Sequence, residues 1–361
     1  MFLWCIFATL FNKITDKHSI IQKLHAFLIK PQCLILILKY EGVLNMNKLK
    51  KIGLTALAGS LIAGSVNAAD MAVTGTAALT FGGGDENKNT GNGWSMSDGV
   101  TFSASGEVND IGVTLSLELD GGAAESYTAQ LMDDRSITLT LPDDMGTLTF
   151  AGHGGSSALS AIDDKMPAAY EEPWAVVTGA SAAVINGDAE EDMFTYSYSH
   201  DSGLSFTAAY HNAEAGQSVE SYNDFAVAYT GVEGLTVGYG TGTDHSTATD
   251  SEESTMYATY AMGGMTVGVQ TSEKDVEGGA TSDVDTSGFG ISYAVSDDLS
   301  VSLGQHVAEY NSGDDQEATA VGISYTMGSM SIAGSYHTVD NIANTSTDDR
   351  NAYEVQIKFN F

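Results

Sequence analysis

The residues best suited to chemistry are carboxylates gathered in one stretch. Between residues 155 and 191 the chain carries Asp163, Asp164, Lys165, Glu171 and Glu172, with Pro167, Pro173 and Trp174 among them; Asp188, Glu190, Glu191 and Asp192 follow. Carboxylates at a narrow passage give a passing ion a negative local potential, and rings of Asp or Glu select cations. Pro and Trp suit a loop that holds one shape inside a lumen. The same residues also suit a solvated acidic surface loop, and both readings stay open on spacing alone. Loops longer than about 12–15 residues are functional or disordered.

Other chemistry is weaker. His153, His211, His306 and His337 lie near the ends of separate extended segments. They could titrate near pH ~6.5, bind metal, or simply line a wide polar mouth. Strands ~4.8 Å apart make their convergence on one ion doubtful. The acidic pairs Asp85-Glu86 and Asp348-Asp349 lack EF-hand spacing. No metal site and no cofactor is expected. Gly238, Gly240 and Gly242 alternate without a following helix, which suits a closely approached wall rather than a nucleotide loop. After residue 68 no GxSxG occurs, and Ser is too frequent for nearness to His to inform. No enzyme is expected.

Composition narrows the class. The 361 residues hold 47 acidic and 14 basic side chains, a net charge of −33, with 40 Gly and 4 Pro. So few bases cannot neutralise a phosphate backbone, so no nucleic-acid partner is expected. The regular runs of Val, Ile, Leu, Phe and Tyr argue against disorder despite the charge.

The front of the chain is different. Eight of the 14 bases and both cysteines, Cys5 and Cys33, precede residue 68. Residues 46–68 read as a signal peptide: Lys48, Lys50 and Lys51, then the apolar run Ile52 to Gly64, then Val66-Asn67-Ala68 with a cut expected after Ala68. Residues 1–45 read as a misannotated upstream extension. The apolar run Cys33 to Leu38 is too short to span a bilayer.

The elements that would carry the acidic stretch have a period of two. Residues 69–361 read as sixteen strands of about ten residues each. Tight connections, such as Asp110-Ile111, Gly263-Gly264 and Gly328-Ser329, alternate with longer ones, such as 83–98 and 155–191. Short turns at one end and long loops at the other suit an outer-membrane barrel. In the last strand Tyr353, Val355, Ile357, Phe359 and Phe361 share one face, and Glu354, Gln356, Lys358 and Asn360 the other. Glu107, Glu118 and Asp120 fall on the hydroxyl-rich face of the second and third strands. Aromatics gather near strand ends, as a membrane girdle requires. A secreted or surface β-rich adhesion or structural protein would alternate too, with its apolar face inward.

These features together resemble the Gram-negative general (diffusion) porins. The likeness rests on the signal peptide, the opening strand AADMAVTGTAALTFGG, the strand–turn series, the long third loop and the ending AYEVQIKFNF. It implies an all-β fold: a 16-stranded antiparallel transmembrane β-barrel with an inward-folded third long loop, assembled as a homotrimer in outer-membrane lipid. It also implies that Tyr353, Phe359 and Phe361 carry the signal read by the barrel-assembly machinery. Asp163, Asp164, Lys165, Glu171 and Glu172 would then form the pore constriction, and Glu107, Glu118, Asp120, Glu354 and Lys358 the pore wall. Such porins set bases opposite the loop. Here Lys358 is the only base expected on the polar face of a strand, with Arg135 at the rim and Lys274 and Arg350 in loops. The expected function is a passive, cation-preferring channel for small hydrophilic solutes and ions. A substrate-specific porin is a further alternative; it would need aromatics lining the lumen, and parity offers chiefly Tyr257.

Overall fold

Segments that alternate apolar and polar residues between turn-forming pairs fold as antiparallel hairpins, and this chain does so along its whole described length. The computed structural model describes residues 70–84, 93–120, 134–180, 192–213, 221–245, 250–278 and 283–361. The expected extension and signal peptide, and Asp188, Glu190 and Glu191, lie outside the described residues. The first eight strands are β1 (Asp70–Gly84), β2 (Trp94–Val108), β3 (Ile111–Asp120), β4 (Arg135–Thr140), β5 (Thr147–His153), β6 (Met193–Ser199), β7 (Leu204–His211) and β8 (Tyr222–Val232). The second eight are β9 (Leu235–Asp244), β10 (Ser251–Met262), β11 (Met265–Val276), β12 (Val284–Ala294), β13 (Leu299–Tyr310), β14 (Gln316–Met327), β15 (Met330–Asp340) and β16 (Arg350–Asn360).

Each strand pairs with its sequence neighbours, and β1 pairs antiparallel with β16, so the sheet closes into a barrel. Closure leaves no row of unpaired backbone groups, which lipid could not satisfy. The seam runs from Thr76↔Asn360 to Gly84↔Ala352. Beyond it Phe361 donates its N–H to the Gly75 carbonyl at 2.9 Å, and the Gly75 N–H donates to Phe361 O at 2.6 Å.

Two boundaries differ from the sequence reading. The β2–β3 turn is Asn109-Asp110 rather than Asp110-Ile111, because Ile111 already pairs with Val108. Both turn residues have positive φ, 53° and 64°, the conformation a tight primed hairpin turn requires and short polar side chains tolerate. Strand β2 starts at Trp94, not near 99. Its polar start, Trp94-Ser95-Met96-Ser97, reads as loop, but Trp94 packs on Phe81 of β1 with ring centroids 4.7 Å apart and extends the pairing.

The barrel is apolar outside. On β14, Val321, Ile323 and Tyr325 are 55%, 50% and 42% exposed, whereas Ala318 and Ala320 on the opposite face are 0% and 5% exposed. Exposed aromatics form two belts, with Tyr229, Tyr293, Tyr325 and Phe359 toward the short turns and Trp94, Tyr210, Tyr336 and Tyr353 toward the long loops. An apolar band between aromatic girdles is the surface of a transmembrane barrel. A soluble sandwich would bury that face.

Candidate functional site

The acidic stretch follows β5, and its described part, residues 155–180, makes its contacts with polar-face residues of β6 to β16. Ser156 O accepts from Thr195 Oγ1 of β6 at 3.0 Å. Asp224 of β8 then takes four donors: the N–H groups of Ala158 (3.1 Å), Leu159 (2.6 Å) and Ala209 (3.2 Å), and the Tyr222 hydroxyl (3.1 Å). A carboxylate only 5% exposed needs such partners. Leu159 and Ile162 lie over Gly240 of β9, where a Cβ would come within 2.8 Å of both side chains.

Gln270 of β11 holds the next turn. Its Oε1 accepts from Lys165 N–H at 2.7 Å, and its Nε2 donates to the carbonyls of Ile162 and Asp163 at 2.8 and 2.7 Å. Pro167 lies over Gly268, where a Cβ would sit 2.5 Å from Pro167 Cδ. Ala169 N–H donates to Ser302 Oγ of β13 at 2.8 Å, and the Tyr170 hydroxyl donates to Glu354 Oε1 of β16 at 2.7 Å. Trp174 packs on His306 of β13 with centroids 4.3 Å apart and the rings tilted by 55°, and the Pro173 carbonyl meets His337 Nδ1 of β15 at 3.0 Å. Val176 and Val177 pack with Ala318, Val339, Ile342 and Ala352. The Arg350 guanidinium donates to Thr178 O at 2.9 Å and grips Asp348 through two bonds of 2.7 and 2.8 Å.

The expected acidic residues are brought together. Burial pushes the Asp163 carboxyl up to about 6, against the lowering effect of the Asp164 N–H and the Lys165 ammonium. Asp164 is pushed up to about 8, first by burial and then by a hydrogen bond with Glu172 and the Glu172 charge. Asp164 therefore keeps its proton at neutral pH, since burial and the neighbouring carboxylate both disfavour its charged form. Burial, then the Glu354 bond, raises the Tyr170 phenol above its ordinary value. Glu171 stands beside this group and acts on Tyr170 electrostatically.

The wall residues follow strand parity. Glu118 pairs with Thr101, Asp120 with Gly99, and Glu107 with Gly112. Glu354 is 9% exposed under Tyr170, and Lys358 stands opposite Ala78 and Ser331. Tyr353, Phe359 and Phe361 are exposed on the apolar face at 39%, 45% and 72%.

Several sequence expectations change. Lys274 and Arg350 are not in loops: Lys274 lies in β11 and Arg350 opens β16, both with polar-face parity. Lys358 is therefore not the only base on that face. Lys274 pairs with Glu253 of β10 at 2.5 Å, and pairing across adjacent strands extends both beyond their apolar stretches. Three of the four histidines do not line an open mouth. His211, His306 and His337 are 2%, 2% and 0% exposed, because Pro173 and Trp174 cover the last two. Tyr257 does not line a lumen either: it is 6% exposed and clusters with Ala158, Ile162 and Ala226. Asp224 and Gln270 were missed as functional residues. Their signal was present: each is a large polar side chain at a polar-face position with small residues, Ala226 or Gly268 and Ser272, beside it on that face.

The anchors of the acidic segment lie on β6–β16. Strands β1–β5 offer hydroxyls on the polar face, among them Thr76, Thr101, Ser103, Ser116, Thr138 and Thr149, with Thr138 and Thr149 bonded at 3.0 Å. The base in those five strands is Arg135, whose guanidinium donates to Gly152 O at 3.1 Å.

Comparison with known proteins agrees with this architecture. No curated protein matches the sequence. Among solved structures, a loop L8 deletion mutant of the outer membrane protein OmpT of Vibrio cholerae is 17% identical, with a TM-score of 0.64 over 82% of this chain and 100% of that one. An anion-selective porin from Comamonas acidovorans is 14% identical, with a TM-score of 0.59 over 81% and 100%. Salmonella typhi OmpF in complex with daunomycin is 13% identical, with a TM-score of 0.59 over 81% and 97%. At such identities these likenesses speak for the fold. The family model of the Gram-negative porins matches residues 53–311, and with sixteen closed strands and an apolar exterior the chain belongs to that family, as an outer-membrane porin channel.

Proposed function

We propose that this porin is a passive, cation-preferring channel for small hydrophilic solutes and ions, in which the loop segment 155–180 lies in the lumen and narrows it. The observation that carries the reading is the placement of charge. Asp163, Asp164, Glu171 and Glu172 sit on a segment bonded to the polar face of β6–β16, while β1–β5 present hydroxyls, Glu118 and Asp120 rather than bases. A cation crossing between them meets a negative potential on both sides, and an anion is repelled. Lys165, Lys274 and Arg350 do not reverse this, because Lys274 and Arg350 are each held by a carboxylate. A wall of Ser and Thr hydrogen-bonds solutes without holding them, so exit stays as easy as entry. No bond of the solute is broken.

The proposal extends to export through cleavage after Ala68, on the signal-like residues 46–68, and to assembly of three copies in the outer membrane, as the family implies. Tyr353, Phe359 and Phe361 present the assembly signal to the barrel-assembly machinery. Reversal potential in a planar bilayer under a KCl gradient tests the central claim. A shift toward the K⁺ equilibrium potential supports it; a shift toward that of Cl⁻ refutes it.

A further inference from the structure

His306 is 2% exposed, and among the described residues neither of its ring nitrogens has a hydrogen-bond partner. A buried polar group so placed is unusual in a folded protein and calls for a reason. The imidazole is shut in by the Trp174 ring at 4.3 Å. It stands opposite Gly288 of β12 and Ala318 of β14, and Met166 lies over Gly288. Its neighbour His337 is differently equipped. His337 Nδ1 donates to the Pro173 carbonyl at 3.0 Å, and its Nε2 accepts from Ser335 Oγ at 2.7 Å. The Ser335 hydroxyl is placed to accept an N–H from His337 Nε2 as well as to donate to it. His306 has no such recourse.

We propose that His306 and Trp174 form an acid-released latch on the pore loop: protonation of His306 drives Trp174 off the wall and swings residues 171–175 into the passage. A charged imidazole in a dry slot without an acceptor is costly. The wall supplies no counter-charge: the polar-face neighbours are Thr286, Gly288 and Gly290 on β12, Gly304 and Ala308 on β13, and Gln316, Ala318 and Ala320 on β14. Beyond β14 stand His337 on β15 and Glu354 on β16, the latter bonded to Tyr170. The nearest carboxylates on the loop are Glu171 and Glu172, three and two residues before Trp174. Asp163, Asp164 and Lys165 lie farther back along it. Once Trp174 leaves, water reaches the imidazolium and Glu172 can pair with it. Docking is therefore complete above the ordinary histidine range near pH ~6.5 and weakens as pH falls through it. In the limit where the docked form excludes the proton, the released-to-docked ratio rises about tenfold per pH unit.

The chain holds three tryptophans, so a Trp4→Phe, Trp94→Phe background leaves Trp174 as sole reporter. Its emission is followed from pH 7.5 to 4.5 in refolded protein, beside single-channel current. The expected result is a red shift with acid, accompanied by partial closures, both lost in His306→Phe and His306→Gln and both kept in His337→Gln. Heat-modifiable gel mobility confirms that each variant is a folded barrel. An acid shift that persists unchanged in both His306 variants, or no shift in the parent, overturns the latch. The tryptophan readout does not depend on conductance. A barrel that carries no current at any pH would refute the channel reading, while Trp174 emission would still decide the latch.

Discussion

Ion selectivity should climb in two steps with pH, and the loop carboxylates set where. Asp163 is pushed up to about 6 and Asp164 to about 8, each chiefly by burial. At pH 5 both are about nine-tenths or more protonated. By pH 7 Asp163 is about nine-tenths ionised and Asp164 still about nine-tenths protonated; by pH 9 both are charged. Each ionisation adds one negative charge beside the passage. A cation passing ~6 Å away in water gains ~0.7 kcal/mol from one such charge, about threefold in relative permeability. An anion at the same distance loses as much, so the K⁺ over Cl⁻ permeability ratio is expected to rise about tenfold from pH 5 to 7 and about tenfold again from 7 to 9. The assay is reversal potential in a tenfold KCl gradient, held at low ionic strength to limit screening. Asp163→Asn should flatten the lower step and Asp164→Asn the upper one. A profile flat between pH 7 and 9, or an upper step that survives Asp164→Asn, would refute the assignment of the upper step to Asp164.

Three further outcomes test the scaffold. Asp224→Ala leaves the N–H groups of Ala158, Leu159 and Ala209 and the Tyr222 hydroxyl without their acceptor. At ~1–3 kcal/mol for each buried unpaired group, the two loop N–H groups alone account for about 2–6 kcal/mol of lost docking, seen as new protease cleavage within 155–191 of an otherwise intact barrel. Gly240→Val drives a side chain into Leu159 and Ile162, which a Cβ alone would approach to 2.8 Å; single-channel current should become noisier while heat-modifiable mobility is kept. Gly75→Val collides with the Phe361 ring, which lies 2.5 Å from where a Cβ would stand; slower barrel closure in a refolding time course is expected, and unchanged kinetics would show that the terminal pairing forms after closure is complete.

Sequence alone carried the fold far. Strand positions were legible because a half-buried strand writes its two faces into alternate residues, as Val321, Ile323 and Tyr325 do against Ala320, Gly322 and Ser324. Turns were legible where only Gly or short polar residues fit, as at Gly263-Gly264. Boundaries were less so. Trp94 joins β2 because Phe81 across the barrel wall packs against it, and no local pattern records a partner on another strand. The site divides the same way. That residues 155–191 hold the carboxylates is composition. That Pro173 and Trp174 close over His337 and His306 is decided by contacts between residues over a hundred positions apart, that Lys274 is tied to Glu253 by the pairing of neighbouring strands, and that Asp164 keeps its proton by burial of the folded loop. Charge count and hydropathic period are local properties of a chain, so the sequence determines them by itself; burial and pairing exist only once the barrel has closed, so only the tertiary structure sets which of those charges reach the passage.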